Sequence, residues 1–340
     1  MKLSIIVPVH NMAADGKLNY CLDSLVNQTI KDYEIIAVDD ASTDDSLEIL
    51  KDYEKRYPDR FIALSLSQNH RQGGAKNAAL RICRGEYIGF VDSDDWMLPE
   101  AYEKLVSLAE EQDADVACCD LCHVTEHVMT VTERIPSFDA KNAGELTPEK
   151  RGSLILGFGA LVTKVFKRHV FKEPEILFPE HMFYEDNALT VELIMRAKRI
   201  AYLEEALYFY YQHGASTVHV ISEERCKDRM EAMRIMLRMA KENGYYESCR
   251  MELECRFAEL FYKNTLFSYL QGEQKKRLSF IKELGREMKE TFPEFQKNPL
   301  FVARSDAEER KMMAMQQKNT LTFYLYYHLL WTYRKLRGKK

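Results

Sequence analysis

The first 120 residues alternate short apolar runs with amphipathic stretches, and few folds accommodate that rhythm. Leu3–Val9, Glu34–Asp39, Phe61–Leu66 and Glu86–Val91 each have the length and character of a buried strand. Between them, Leu18, Cys21, Leu22, Leu25 and Val26 recur at helical spacing, and Asp44–Tyr57 follows Ser42 and Thr43 as caps. Gly74–Cys83 and Pro99–Gln112 are predicted helices as well, the second with Pro near its first turn. Strands separated by helices of this length imply βαβ units: an α/β fold with a mostly parallel sheet covered on both faces. Ligands of such sheets lie beyond the carboxyl ends of the strands. Here those ends are Pro8–Asn11, Asp39–Thr43 and Asp92–Asp95, all polar or acidic.

Further along, Val116–Val124 predicts a strand, Thr147–Leu156 and Glu185–Ala197 predict helices, and Arg199–Tyr211 an extended Tyr- and Phe-rich segment. From Ser222 onward helical character takes over, which predicts a boundary near 220 and domains 1–220 and 221–340. Charge divides at the same place. Residues 1–220 carry 23 Lys+Arg against 36 Asp+Glu, a net of −13, whereas 221–340 carry 25 against 17, a net of +8. The acidic first part argues against nucleic acid as a partner, because phosphate binding needs clustered cations. At 340 residues and 46% hydrophobic content the chain can bury a substantial core and is not disordered. Leu3–Val9 is too short for a secretory or membrane-spanning segment, and eight cysteines without a secretory context are expected as free thiols. A cytoplasmic protein is expected.

Three acidic sites carry the chemistry. Asp92, Asp94 and Asp95 crowd three carboxylates into four residues, a repulsion that Mg²⁺ or Mn²⁺ relieves; a solvated turn or a cap for the helix after Pro99 is the plainer reading. Asp39–Asp40 offers acceptors to a nucleobase or ribose, or caps the next helix. Glu185–Asp186 opens a helix whose Leu189 and Leu193 face inward, where negative charge is favourable in any case. Cys119–His123 formally fits a haem-attachment pattern, but it falls in a predicted strand, so Cys118, Cys119 and Cys122 are expected to be buried thiols. The Tyr208–Tyr211 cluster is expected to pack rather than to form a sugar platform.

Taken in order, Ile6–Asn11, Cys21–Thr29, Glu34–Asp44, Asp92–Asp95 and Tyr184–Asp186 resemble the family 2 glycosyltransferases of the GT-A fold, over roughly residues 1–215. The resemblance implies inverting transfer of a sugar from a nucleoside-diphosphate donor, commonly UDP-linked, to an acceptor hydroxyl in bacterial surface polysaccharide. By motif match, Pro8, Val9, His10 and Asp40 would line the base and ribose, and Arg71, Lys76 and Asn77 would lie near the donor phosphates. Asp92 and Ser93 would contact the donor; Asp92 and Asp94, with Asp95 close behind, would hold Mn²⁺ or Mg²⁺. Asp186 would be the catalytic base, with Glu185 beside it. A divalent cation stabilising the diphosphate and one carboxylate base suffice for such a displacement, whereas a glycosidase needs two carboxyl groups flanking the bond. His10 stands where the family usually has Tyr, Lys76 where Arg is common, and no Arg follows the run Leu207–His213. The alternative is a catalytically silent nucleotide-sugar-binding or scaffold module.

The C-terminus adds one more expectation. No acid follows Glu309, and Leu321–Tyr333 is crowded with Leu, Tyr, Phe and Trp between flanking cations. That segment is shorter than the about 20 residues a bilayer span needs. Residues 318–340 are expected either to lie on an anionic membrane surface, near a glycan or lipid-linked glycan acceptor, or to dock on the core.

Overall fold

The computed structural model describes residues 1–172, 175–212 and 221–337, without the side chains of 335 and 336. His213, the end of the Tyr-rich run, and the terminal Lys339 and Lys340 lie outside the described residues. Two compact units make up the chain, Met1–Ser216 and Thr217–Lys340.

The first unit is built on one mixed sheet. Strands β1 (Leu3–Val9), β2 (Tyr33–Asp39), β3 (Phe61–Ser65) and β4 (Tyr87–Phe90) are parallel neighbours in the order β3-β2-β1-β4. Every residue of β1 and β2 is buried, as continuous apolar strands covered on both faces must be. Of the two acids in these strands, Glu34 is satisfied by the Ser4 hydroxyl at 2.7 Å and by the backbone N–H and guanidinium of Arg84, and Asp39 closes β2. Helices α1 (Lys17–Val26), α2 (Ser46–Arg56), α3 (Arg71–Ile82) and α4 (Ala101–Glu111) connect or flank these strands. Helix α3 begins earlier than the expected Gly74, at Arg71.

Beyond β4 the sheet departs from the simple alternation. Strand β8 (Lys164–Lys167) enters antiparallel between β4 and β6 (Val116–Val124), and β6 then runs parallel to β9 (Arg199–Tyr211). Two short strands, β5 (Trp96–Met97) and β7 (Gly144–Glu145), pair antiparallel with β9. Helices α5 (Pro148–Gly157), α6 (His169–Lys172) and α7 (Glu185–Arg196) complete the unit. All eight cysteines are buried and free, so Cys118, Cys119 and Cys122 are interior thiols.

The second unit is helical: α8 (Glu223–Glu242), α9 (Arg250–Phe257), α10 (Thr265–Gly272), α11 (Leu278–Thr291), α12 (Pro299–Arg304), α13 (Ala307–Lys318) and α14 (Thr320–Leu336). A π-helical turn, Ala258–Asn264, joins α9 to α10. Caps match the sequence: Ser222 accepts from the Arg225 N–H, and Asp306 with Glu309 forms a capping box for α13. Among its buried polar groups is Gln316, which accepts from the Tyr262 hydroxyl at 2.5 Å and donates to the Ile281 carbonyl at 2.8 Å. Gly285 on α11 faces it; a Cβ there would collide with the Gln316 amide. No helix among the described residues is long and apolar enough to cross a membrane.

Candidate functional site

Parallel register places the first group. Val9 is level with Asp39, so β1 and β2 end together and their following residues share one edge. There His10 Nδ1 donates to the Asp40 carbonyl at 2.8 Å, while His10 Nε2 lies 3.2 Å from the amide nitrogens of Asn11 and Asn69. These partners favour the tautomer with its proton on Nδ1. Pro8 and Val9 are buried beneath His10, which is exposed. Asp40 is buried, and that burial raises its pKa, although the His70 N–H donating to Oδ1 at 2.7 Å and the His10 ring pull it down. Next to it, buried Asp39 has an Oδ1 with no hydrogen-bond partner. An unmet buried acceptor is rare enough to call for a donor from a ligand or water.

The second group forms where β4 ends. Asp92 is half-buried, and its carboxyl is pushed up to about 6 by burial and by the charges of Asp94, Glu185 and Asp186, against the opposing pull of Lys76. Lys76, on α3, is buried and donates to Glu185 Oε1 at 2.6 Å. Burial penalises that ammonium, yet Glu185, Asp92 and Asp186 outweigh the penalty and hold its pKa above the ordinary value. Residues far apart in sequence thus feel one another in one acidic neighbourhood. Asp186 is half-buried, with Oδ1 oriented by the Asn187 N–H at 2.7 Å.

Two further residues expected at the site are bonded to neighbouring parts of the protein. Asp95 is buried; its Oδ2 accepts from the Tyr208 hydroxyl at 2.5 Å and its Oδ1 from the Tyr211 N–H at 2.8 Å. Its carboxylate therefore anchors the acidic turn to β9, and burial together with Asp92 and Asp94 raises its pKa well above the ordinary value. Asn77 is buried and faces the segment before α7: its Nδ2 donates to the Phe178 carbonyl at 2.9 Å, and its Oδ1 accepts the Phe178 N–H at 2.8 Å. Ser93 is buried in the turn, and the Arg71 guanidinium sits 4.0 Å from the centre of the Phe183 ring.

That segment is pinned to α3 by groups the sequence did not flag. Glu180 accepts from Asn77 at 2.9 Å and from His70 Nδ1 at 2.8 Å, and the His181 N–H donates to the His70 carbonyl at 2.9 Å. Gly73 is required here, since a Cβ would run into the Pro179 carbonyl. Non-glycine residues in the left-handed region surround the site: Asn11 (φ 54°), Ala41 (54°), Arg71 (60°), His181 (60°) and Tyr184 (64°). Such conformations persist where the surroundings over-determine them, commonly at functional sites.

Comparison with known proteins identifies the family and the fold. Residues 4–172 match the profile of the family described as Glycosyl transferase family 2. The chain belongs to that family. An uncharacterized glycosyltransferase of Escherichia coli, YibD, is 33% identical over 224 residues, which cover 63% of this chain and 62% of the relative. A poly(ribitol-phosphate) beta-glucosyltransferase of Bacillus spizizenii is 34% identical over 213 residues, covering 62% of this chain but 32% of the relative. The chain thus spans 62% of one of these relatives and 32% of the other. Among solved structures, S. aureus TarS 1-349 in complex with UDP-GlcNAc superposes with a TM-score of 0.70 at 23% identity, covering 94% of this chain and 92% of that one. That likeness establishes the GT-A fold with its helical C-terminal region.

The donor set of this family 2 site suits a hard divalent cation. Asp92 and Asp94 offer carboxylate oxygens, and such a cation would relieve both the burial of charge and the repulsion that together lift the Asp92 pKa. The nearest buried cation, Lys76, is already engaged with Glu185.

Proposed function

We propose that this chain is an inverting glycosyltransferase that moves a sugar from a nucleoside-diphosphate donor, of the UDP-sugar class, to an acceptor hydroxyl in surface polysaccharide synthesis. The observation that carries the reading is the gathering of Asp92, Glu185 and Asp186 around Lys76, with Asp94 acting on Asp92, at the end of β4, the parallel neighbour of the strand that ends before His10. The UDP-GlcNAc complex of the structurally similar TarS supports the donor class.

In this reading, Pro8, Val9 and His10 form the wall for the base, and Asp40, with the unmet acceptor of Asp39, receives hydrogen bonds from base or ribose. Asp92 and Asp94 would hold Mn²⁺ or Mg²⁺, which would supply positive charge for the departing diphosphate. Asp186 accepts the acceptor-hydroxyl proton, since Glu185 is committed to Lys76. Lys76 keeps that acidic pair in place without occupying Asp186. Arg71 and Ser93 lie toward the donor phosphates. Asp95 and Asn77 act as positioning residues, one for the acidic turn and one for the segment leading to Asp186. A glycan or lipid-linked glycan acceptor would bring the enzyme to a membrane surface.

The experiment is UDP release and product formation across a panel of UDP-sugars with Mn²⁺, alongside donor-induced thermal stabilisation. A donor at about 100 times its Kd should stabilise by about 2.7 kcal/mol. Stabilisation with no turnover on any acceptor would favour the silent binding module. Asp94→Ala should lose metal-dependent donor binding while keeping its fold; undiminished binding would remove Asp94 from the metal site.

A further inference from the structure

The sequence leaves the terminal helix two fates, docked or membrane-bound, and the structure shows one face docked and another exposed. One face of α14 is docked within the helical unit: Phe323 and Tyr327 are fully or almost fully buried. The opposite face is exposed and apolar. Leu321 (55%), Leu325 (55%), Leu329 (72%) and Tyr333 (52%) recur every fourth residue and form one stripe along the helix. Cations mark both ends of the stripe: Lys318 and Arg337 are exposed, and Arg337 lies 4.7 Å from the centre of the Tyr333 ring. Arg334, by contrast, is tied to Glu308 at 2.7 Å on the docked side.

We infer that this outer face of α14 is an in-plane anchor for an anionic lipid surface. Three observations select that occupant. The helix is 17 residues long, too short and too polar to span, and its docked face fixes it to the body of its unit so that only the stripe is presented. A helix of this length offers a face of about 26 Å by about 10 Å, so about 250 Å², far below the about 800 Å² per partner of a stable protein interface. The charge at the ends is of one sign, and no acidic residue follows Glu309. Two copies meeting through this face would oppose like charges, whereas a leaflet of anionic lipid supplies the complementary sign. The Tyr and Leu side chains suit the boundary between headgroups and acyl chains.

The inference is independent of the donor and of turnover, so it is tested by binding alone. The purified full chain is sedimented with phosphatidylcholine vesicles, with and without roughly one-third phosphatidylglycerol. Wild type should pellet with the anionic vesicles, less so as salt rises, and weakly with neutral ones. Leu325→Glu with Leu329→Glu should lower anionic partition at least about tenfold with an unchanged melting temperature, because both positions are exposed. Lys318→Ala with Arg337→Ala, which keeps the stripe, should reduce anionic binding and leave neutral binding as it was. Equal pelleting by wild type and the glutamate variant, no pelleting by wild type, or equal affinity for neutral and anionic vesicles would overturn it. So would a wild-type dimer that the glutamate variant converts to monomer, which would make the face a self-association surface.

Discussion

The two units handle charge in opposite ways. In the first, many ionisable groups are drawn inward, and four of them, Asp40, Lys76, Asp95 and Glu185, are buried at the site. In the second, charges are mostly kept outside and in pairs. Arg234 holds Glu287 through two bonds of 2.6 and 2.7 Å, Arg304 reaches Glu259 at 3.1 Å, and Glu223 holds Arg277. Arg256 is the buried exception. Exposed pairs are each worth little to stability, whereas burying several carboxylates together is costly. Clusters of this kind are common where reacting groups need shifted proton affinities, which is why the proposed chemistry is assigned to the sheet unit.

The comparison can be broken from either side. The largest effect is expected at Asp186→Asn, which keeps size and fold: turnover should fall by about 10² to 10⁴ with donor affinity nearly constant. A variant that turns over normally would leave the acidic edge without its base. Next is Lys76→Ala, which leaves Glu185 charged, buried and unpaired; denaturant unfolding should show a loss of about 3–5 kcal/mol. A change below about 1 kcal/mol would mean that the pair is solvated and that the first unit is no different from the second.

In the helical unit, packing rather than charge should dominate. Gly285→Ala pushes a methyl into the Gln316 amide and breaks its bonds to Tyr262 and Ile281, so a loss of about 2 kcal/mol is expected from urea titration. Smallest is a pH effect. Glu223 is pulled down from 4.5 to about 2, chiefly by Arg277. Its folded value lies below the unfolded one, so its contribution is present above pH 4.5 and is lost as pH falls toward 2. With Arg277 largely exposed, that contribution should be about 1 kcal/mol, visible as a shallower acid transition in Arg277→Ala.

Legibility in the sequence followed local pattern. Strands β1, β2 and β6 announce themselves as apolar runs, and the carboxyl-end rule led directly to Asp40 and Asp92. Strands β5 and β7 are two residues each, too short to show any period, and β8 is hidden because Lys164 and Lys167 bracket its two apolar residues. Its antiparallel insertion between β4 and β6 is a matter of long-range pairing that no local window contains. The acidic residues were legible through motifs. Asn77 was visible only as a motif position and Glu180 not at all, because their partnership joins residues 103 apart. Sequence proximity offers Asp95 as a third carboxylate but cannot show that the Tyr208 hydroxyl and the Tyr211 N–H bond its oxygens.

Asn77 has a consequence of its own. Its side-chain amide both donates to and accepts from the backbone of Phe178, so one residue imitates the rung that a neighbouring strand would otherwise provide. A rung of this kind counts: sliding the segment by one residue presents the amide with the wrong carbonyl and the wrong N–H. The phase of the chain that runs on into Asp186 is therefore set by a side chain on another element, and an insertion or deletion between Phe178 and Glu185 could not be absorbed by slippage upstream. Loop grafting meant to alter acceptor choice would have to begin after that rung or carry Asn77 along with it.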